Sequence, residues 1–435
     1  MITRTFVASV RLRVVLAVAL PWMLAGCGGG GDEGPTCSFT DPPVLVDSSW
    51  PKFHHDQQNT GSTNACLSLP APVPAARPLF PVPPDNPKGI FEGSPVFGVQ
   101  DQFLYVGSLD GTVYGINLAT GSPDRQFPLT ALGITSSPLV ASRSTGEGLF
   151  VGGGDGVLYA VVTATGAAEL NYWPFPGGQF IGVSPAIGVN GIIYAASLDG
   201  SVFGVCANGI AHFHSLAPGV GSSPAVAPDG TVYFGADDGQ LRAVNPDGVL
   251  KWVFAASAPI IAAPAVEPDG SAIYVADVDG HVYKVGSNGR PFPQFAFAGP
   301  DGGPVGPIQS SPALASQLRR LYFGSDDGHV YAIDADTGAV IWSVPTNGRV
   351  RSSPAVATGG GQAVVVVGSE DGNLYFISDG GAPVAMPVSI GAPVRSSPAI
   401  AKDGTVYVGA DDGRVYVVGA ACSPPAATPT ATPQP

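Results

Sequence analysis

The 435-residue chain is 45% hydrophobic and 12% charged, carries a formal charge of −14, and holds 60 glycines and 44 prolines. An acidic balance of this size excludes nucleic acid and anionic lipid surfaces as natural partners. The hydrophobic share excludes a disordered chain despite the Gly and Pro content, and no stretch after residue 30 has a helical period, which leaves short strands joined by tight turns.

Arg4, Arg11 and Arg13 precede an apolar run from Val14 to Leu24, and Leu24-Ala25-Gly26-Cys27 follows. That order reads as a signal peptide over residues 1–26. The run is too short for a membrane span. The tetrapeptide resembles the bacterial lipobox, which implies that Cys27 is lipidated, and Gly28 in place of Asp implies sorting to the outer membrane. Residues 27–47 are expected to form a flexible tether, opened by Gly28-Gly29-Gly30-Gly31. Acyl chains then supply all the membrane affinity. Loss of the three arginines moves the formal charge from −14 to −17.

Residues 48–90 come before the repeats. Trp50-Pro51 and His54-His55-Asp56 open this segment, and Arg77-Pro78-Leu79-Phe80-Pro81-Val82 has the pattern of a strand. From there on one unit recurs. Its best copy, 219–254, is three short apolar runs and an aromatic one, separated by Asp-Gly or Pro-Asp-Gly turns. Asp-Gly suits a two-residue hairpin because both central positions need positive φ. The opening proline recurs at Pro95, Pro138, Pro185, Pro224, Pro264, Pro312, Pro354 and Pro398, each followed by a hairpin glycine, Gly111, Gly156, Gly200, Gly239, Gly280, Gly328, Gly372 or Gly413. Eight repeats of four strands at this spacing predict an all-β, eight-bladed β-propeller over 48–422. The last unit stops after three runs, so the segment near Phe80 is expected to supply its fourth strand and close the ring. Residues 423–435, rich in Pro, Ala and Thr, read as a disordered tail.

Ala332-Ile-Asp334-Ala-Asp336-Thr337-Gly338-Ala-Val-Ile-Trp342 resembles the docking motif of the pyrroloquinoline-quinone (PQQ) repeat family. Trp173, Trp252 and Trp342 take the docking position, with Phe127, Phe213, Phe292 or Phe295, and Met386 standing in elsewhere. The resemblance implies the eight-bladed fold found in quinoprotein dehydrogenases and in the propeller lipoprotein of the outer-membrane barrel-assembly machine. The dehydrogenases carry adjacent disulfide-bonded cysteines and a Ca²⁺ beside the quinone. This chain has no adjacent cysteines.

Candidate sites are few. Arg349, Arg351 and Arg395 precede the openings of units seven and eight, at a channel mouth where they could meet a ligand or partner. The hairpin aspartates Asp110, Asp155, Asp199, Asp238, Asp279, Asp327, Asp371 and Asp412 are expected to form an electronegative rim on one face, since second-to-third-strand hairpins and the links between blades share a face. No further oxygen ligands follow at calcium-loop spacing, so no metal site is expected. His212 and His214 lack a third ligand within reach. With Cys27 lipidated, Cys37, Cys66, Cys206 and Cys422 remain for an oxidising compartment. Cys206 ends a third strand far from the closure, whereas Cys37, Cys66 and Cys422 belong to the closure region. A bond from Cys66 or Cys37 to Cys422 would staple the ring, worth roughly 5 kcal/mol at most in the chain-entropy model, and Cys66 with Cys422 is the expected pair. The expectation is a monomeric, non-catalytic scaffold that faces the periplasm or the cell surface and binds an envelope protein partner through its acidic face, with no cofactor. The alternatives are a PQQ- and Ca²⁺-dependent dehydrogenase and a propeller that binds envelope polysaccharide.

Overall fold

The computed structural model describes residues 43–45, 48, 50, 52–67, 75–81, 92–143, 146–165, 175–179, 181–188, 190–206, 211–359 and 363–419. The chain divides into two units after Gly34, and every described residue belongs to the second. The signal peptide, Cys27, Cys37, Trp173, Cys422 and the tail lie outside the described residues.

Eight sheets follow in chain order, one for each repeat. Blade 6 is representative: Ala313–Ala315 innermost, then Arg320–Gly324, His329–Asp334 and, outermost, Val340–Pro345. Its first three strands are buried almost throughout, because neighbouring blades cover both faces, and this is why they read as near-continuous apolar runs. Tyr322, Val330 and Ala332 of blade 6 share one core with Val365, Val367 and Ile377 of blade 7.

The doubled serine at the repeat opening has a structural cause. The serine directly before the opening proline, second of the pair where the serine is doubled, accepts the backbone N–H of its counterpart in the preceding blade. Ser94 N reaches Ser137 Oγ at 2.8 Å, Ser137 N reaches Ser184 Oγ at 2.9 Å, and Ser184 N reaches Ser223 Oγ at 3.0 Å. After a gap the series resumes with Ala263 N to Ser311 Oγ, Ser311 N to Ser353 Oγ and Ser353 N to Ser397 Oγ. It closes with Ser397 N to Ser94 Oγ at 3.0 Å. The gap falls where Ala263 replaces serine. First serines do a second job: Ser352 Oγ accepts Gly368 N and donates to the Ser396 carbonyl.

Outer strands lock the blades to one another. The Trp252 indole donates to the Ser287 carbonyl at 2.8 Å and Trp342 donates to the Asp379 carbonyl at 2.6 Å, each in the next blade. Both rings lie on a turn glycine at φ +80°, Gly289 and Gly381, where a Cβ would come within 2.8 and 2.7 Å of the indole. Two positions depart from the expected pattern. Blade 5 pairs only three strands, since Pro291 and Pro293 lack the N–H groups a fourth would need, and Phe295 packs on Tyr274 from irregular chain. Met386 does not dock: it is 85% exposed, and the outer strand of blade 7 is only Val388–Ser389.

Ring closure follows the sequence expectation. Arg77–Pro81 pairs antiparallel with Arg414–Val418 and completes blade 8. Strand pairing starts earlier than residue 48, however. Within the stretch expected as tether, Val44 and Leu45 pair with Ser142 and Ala141 on the inner strand of blade 2.

The lead-in fills the hub. Inner-strand amides two residues after the opening proline donate to its carbonyls in five blades: Phe97 to Trp50 (2.7 Å), Val226 to Gln57 (2.8 Å), Val266 to Gln58 (2.9 Å), Leu314 to Thr60 (2.6 Å) and Val356 to Gly61 (2.9 Å). Left-handed backbone at His54, His55 and Asn59 bends the segment tightly enough to serve blades on several sides. It leaves as Ser62–Cys66, parallel to Ala355–Gly359 of blade 7.

Candidate functional site

The face formed by second-to-third-strand hairpins and blade-to-blade links, hereafter the hairpin face, carries the predicted aspartates. Asp110 Oδ1 accepts Thr112 N at 2.8 Å and Oδ2 accepts the Tyr114 hydroxyl at 2.7 Å. The same tyrosine contact recurs at Asp155, Asp327, Asp371 and Asp412. In blade 4 the partner is Arg242, whose guanidinium holds Asp238 below the usual carboxylate range. Links between blades use the same carboxylates: Gln179 N reaches Asp199, Gly306 N reaches Asp327 and Asn347 N reaches Asp371. These hairpin aspartates are therefore turn-forming groups first. Asp155, Asp199, Asp238, Asp279, Asp327 and Asp412 nevertheless remain exposed, while Asp110 and Asp371 are half-buried.

Blade 5 breaks the pattern. Asp277, fully buried, stands where blades 1, 3, 6 and 7 have serine. It accepts from the Ser257 and Tyr283 hydroxyls at 2.8 and 2.9 Å, and His281 Nδ1 lies 3.4 Å away. That substitution moves the inter-blade latch inward and leaves Asp279 to solvent.

Arg351 and Arg395 sit on the hairpin face, but in a chain of ion pairs. Arg351 grips Asp326 through Nε and Nη2 at 3.0 and 2.8 Å, Arg395 reaches Glu370 at 2.9 Å and Asp411 at 2.5 Å, and Arg351 lies 3.8 Å from Glu370. Burial and the neighbouring Glu370 push the Asp411 carboxyl up, even against Arg395. Arg349 is exposed. At the residue that carries these acids in blades 6 to 8, blades 1 and 3 carry Leu109 and Leu198. Leu198 is 47% exposed, and Leu132, on the link to blade 2, is 54% exposed. The hairpin face thus carries exposed leucines among the carboxylates of blades 1 to 3 and is ion-paired around blades 6 to 8.

On the opposite face the hub mouth holds a cavity of about 370 Å³, lined in part by His55, Asp56, Ser62, Thr63, Ser316 and Gln317. Deeper in, the Lys52 amine donates to the Asp56 carbonyl and to Asn59 Oδ1. Among the described residues no three His, Cys, Asp or Glu side chains are grouped to hold a metal ion. Of the three predicted arginines, Arg351 and Arg395 are committed to carboxylates and Arg349 is exposed, and none of the three lines this cavity.

The family model described as outer membrane protein assembly factor BamB matches residues 190–291 and 288–422, more than half of the chain. The chain belongs to the BamB family. The crystal structure of BamB from Moraxella catarrhalis is similar in fold, with a TM-score of 0.61 and 19% identity over 79% of this chain and 99% of that one. No curated protein sequence matches the chain. In this BamB-family propeller the serine belt and the filled hub were invisible as sites in the sequence. Only the repeated serines carried a signal, and that for the belt alone.

Proposed function

We propose that this propeller is a lipid-anchored, non-catalytic scaffold on the periplasmic side of the outer membrane, which holds an envelope protein in outer-membrane assembly against its hairpin face. One observation carries the reading: carboxylates already satisfied within their own hairpins remain exposed around that face, beside an exposed leucine sector. Groups so held present charge to a partner without being poised for proton transfer. The family description supports an assembly role. Cys27 would supply the membrane attachment, and the partner would offer a basic surface with an apolar patch. No cofactor takes part in this reading, and the chain acts as a monomer.

The test is a pull-down of the full-length lipidated protein from envelope membranes, repeated with Asp238→Asn, Asp327→Asn and Asp412→Asn combined. Capture of an outer-membrane assembly component that weakens severalfold in the triple variant, and more at low salt than at high salt, is expected. A partner retained equally by both proteins overturns the use of this face. Incubation with PQQ and Ca²⁺ is expected to yield neither a quinone absorbance band nor dye-linked alcohol oxidation, and either signal overturns the scaffold reading.

A further inference from the structure

Cys206 follows directly on Ser201–Val205, the third strand of blade 3, and is disulfide-bonded. Third strands run away from the hairpin face, so Cys206 lies at the face opposite the acidic rim. A disulfide needs its two Cα atoms within about 7 Å. Cys66 stands in register with Gly359 of blade 7, across an eight-membered ring from blade 3. Cys422 comes four residues after Val418 of blade 8, a reach of about 14 Å from a sheet three blades away.

Cys37 has a different reach along the chain. It precedes Val44 by seven residues, a reach of about 25 Å. Val44 is paired with Ser142 near the end of blade 2's inner strand, and the antiparallel register brings the chain in from the face where Cys206 lies. Leu45 packs into the core shared by blades 2 and 3, whose members include Val205, the residue next to Cys206.

We infer that Cys206 is bonded to Cys37, which staples the chain ahead of the lead-in to blade 3 and leaves Cys66 and Cys422 for each other. Two thiols lose two protons and two electrons in forming this bond. An oxidised protein disulfide takes them up by thiol–disulfide exchange and leaves as a dithiol. On the lipid-anchor reading, which this consequence rests on, the leash from Cys27 to the propeller is ten residues, Cys27 to Cys37, rather than seventeen to Val44. The leash leaves from the face opposite the acidic rim, so the rim stays clear of the anchored side.

Two measurements test the staple and the leash separately. Unreduced wild-type protein, its free thiols blocked before digestion, is mapped by mass spectrometry. A peptide joining Cys37 to Cys206 is expected, and Cys206 joined to Cys66 or Cys422, or blocked as a free thiol, overturns the inference. No variant is needed, so a folding failure cannot confuse the result. For the leash, a protease site inserted between residues 39 and 42 is cleaved on membranes. The propeller is expected to stay in the membrane fraction until reductant is added, whereas immediate release overturns the staple. A protein found in the soluble fraction before cleavage refutes the lipid anchor alone, because the linked peptide still decides the bond.

Discussion

Lys52 sits in the hub at 1% exposure, its amine held by a backbone carbonyl and an amide oxygen rather than by a carboxylate. Burial, offset only in part by Asp56, lowers its pKa from 10.5 to about 7. His54 is buried beside it, with Nδ1–H donating to the Asn59 carbonyl and Nε2 without a partner, and burial lowers its pKa from 6.5 to about 4. In both cases the unfolded chain binds the proton more readily, so stability rises with pH between the folded and unfolded values. For Lys52 that window runs from about 7 towards 10, and for His54 from about 4 to 6.5. The melting temperature is therefore expected to climb between pH 7 and 9.5, and Lys52→Met should flatten that climb. An unchanged slope in the variant would show that the hub lysine does not titrate there.

At the scale of a blade, the serine belt is interrupted once, where Ser223 N meets Ala263. The backbone at 263 is in register, since Ala263 N still donates to Ser311 Oγ at 2.9 Å. Ala263→Ser is expected to complete the belt and stabilise the protein by about 1 kcal/mol, the usual net worth of one hydrogen bond. Ser353→Ala, which strips the acceptor from Ser311 N, should cost about 1–2 kcal/mol by leaving a buried amide unpaired. Urea titration of both variants measures the pair, and a destabilised Ala263→Ser would mean that the gap is a packed feature rather than a missing bond.

Over the whole molecule, the N-terminal segment performs two closures that depend on sequence separation. Arg77–Pro81 covers the free edge of Arg414–Val418, and residues 50–61 satisfy inner amides from five blades. Deletion of residues 76–81 should leave the third strand of blade 8 as an open edge, a template for pairing with another chain. Light scattering is expected to find oligomers in that variant and a monomer in the parent protein; a monomeric deletion variant would show that blade 8 needs no fourth strand.

The sequence by itself determined the number of blades, the hairpins, the docking of Trp252 and Trp342 and the strand that completes blade 8. Each of these rests on local chemistry: Gly at a positive-φ turn, Pro at a strand start, or alternation along a short run. Only the tertiary structure decided how the hub is filled, because the lead-in is held mainly through backbone carbonyls, which any residue type possesses. It also decided that Arg351 and Arg395 are spent on Asp326, Glu370 and Asp411, that Met386 stays in solvent, and that Cys206 is bonded. Those outcomes turn on which distant residues ring closure brings within a few ångströms, a quantity that spacing along the chain does not contain.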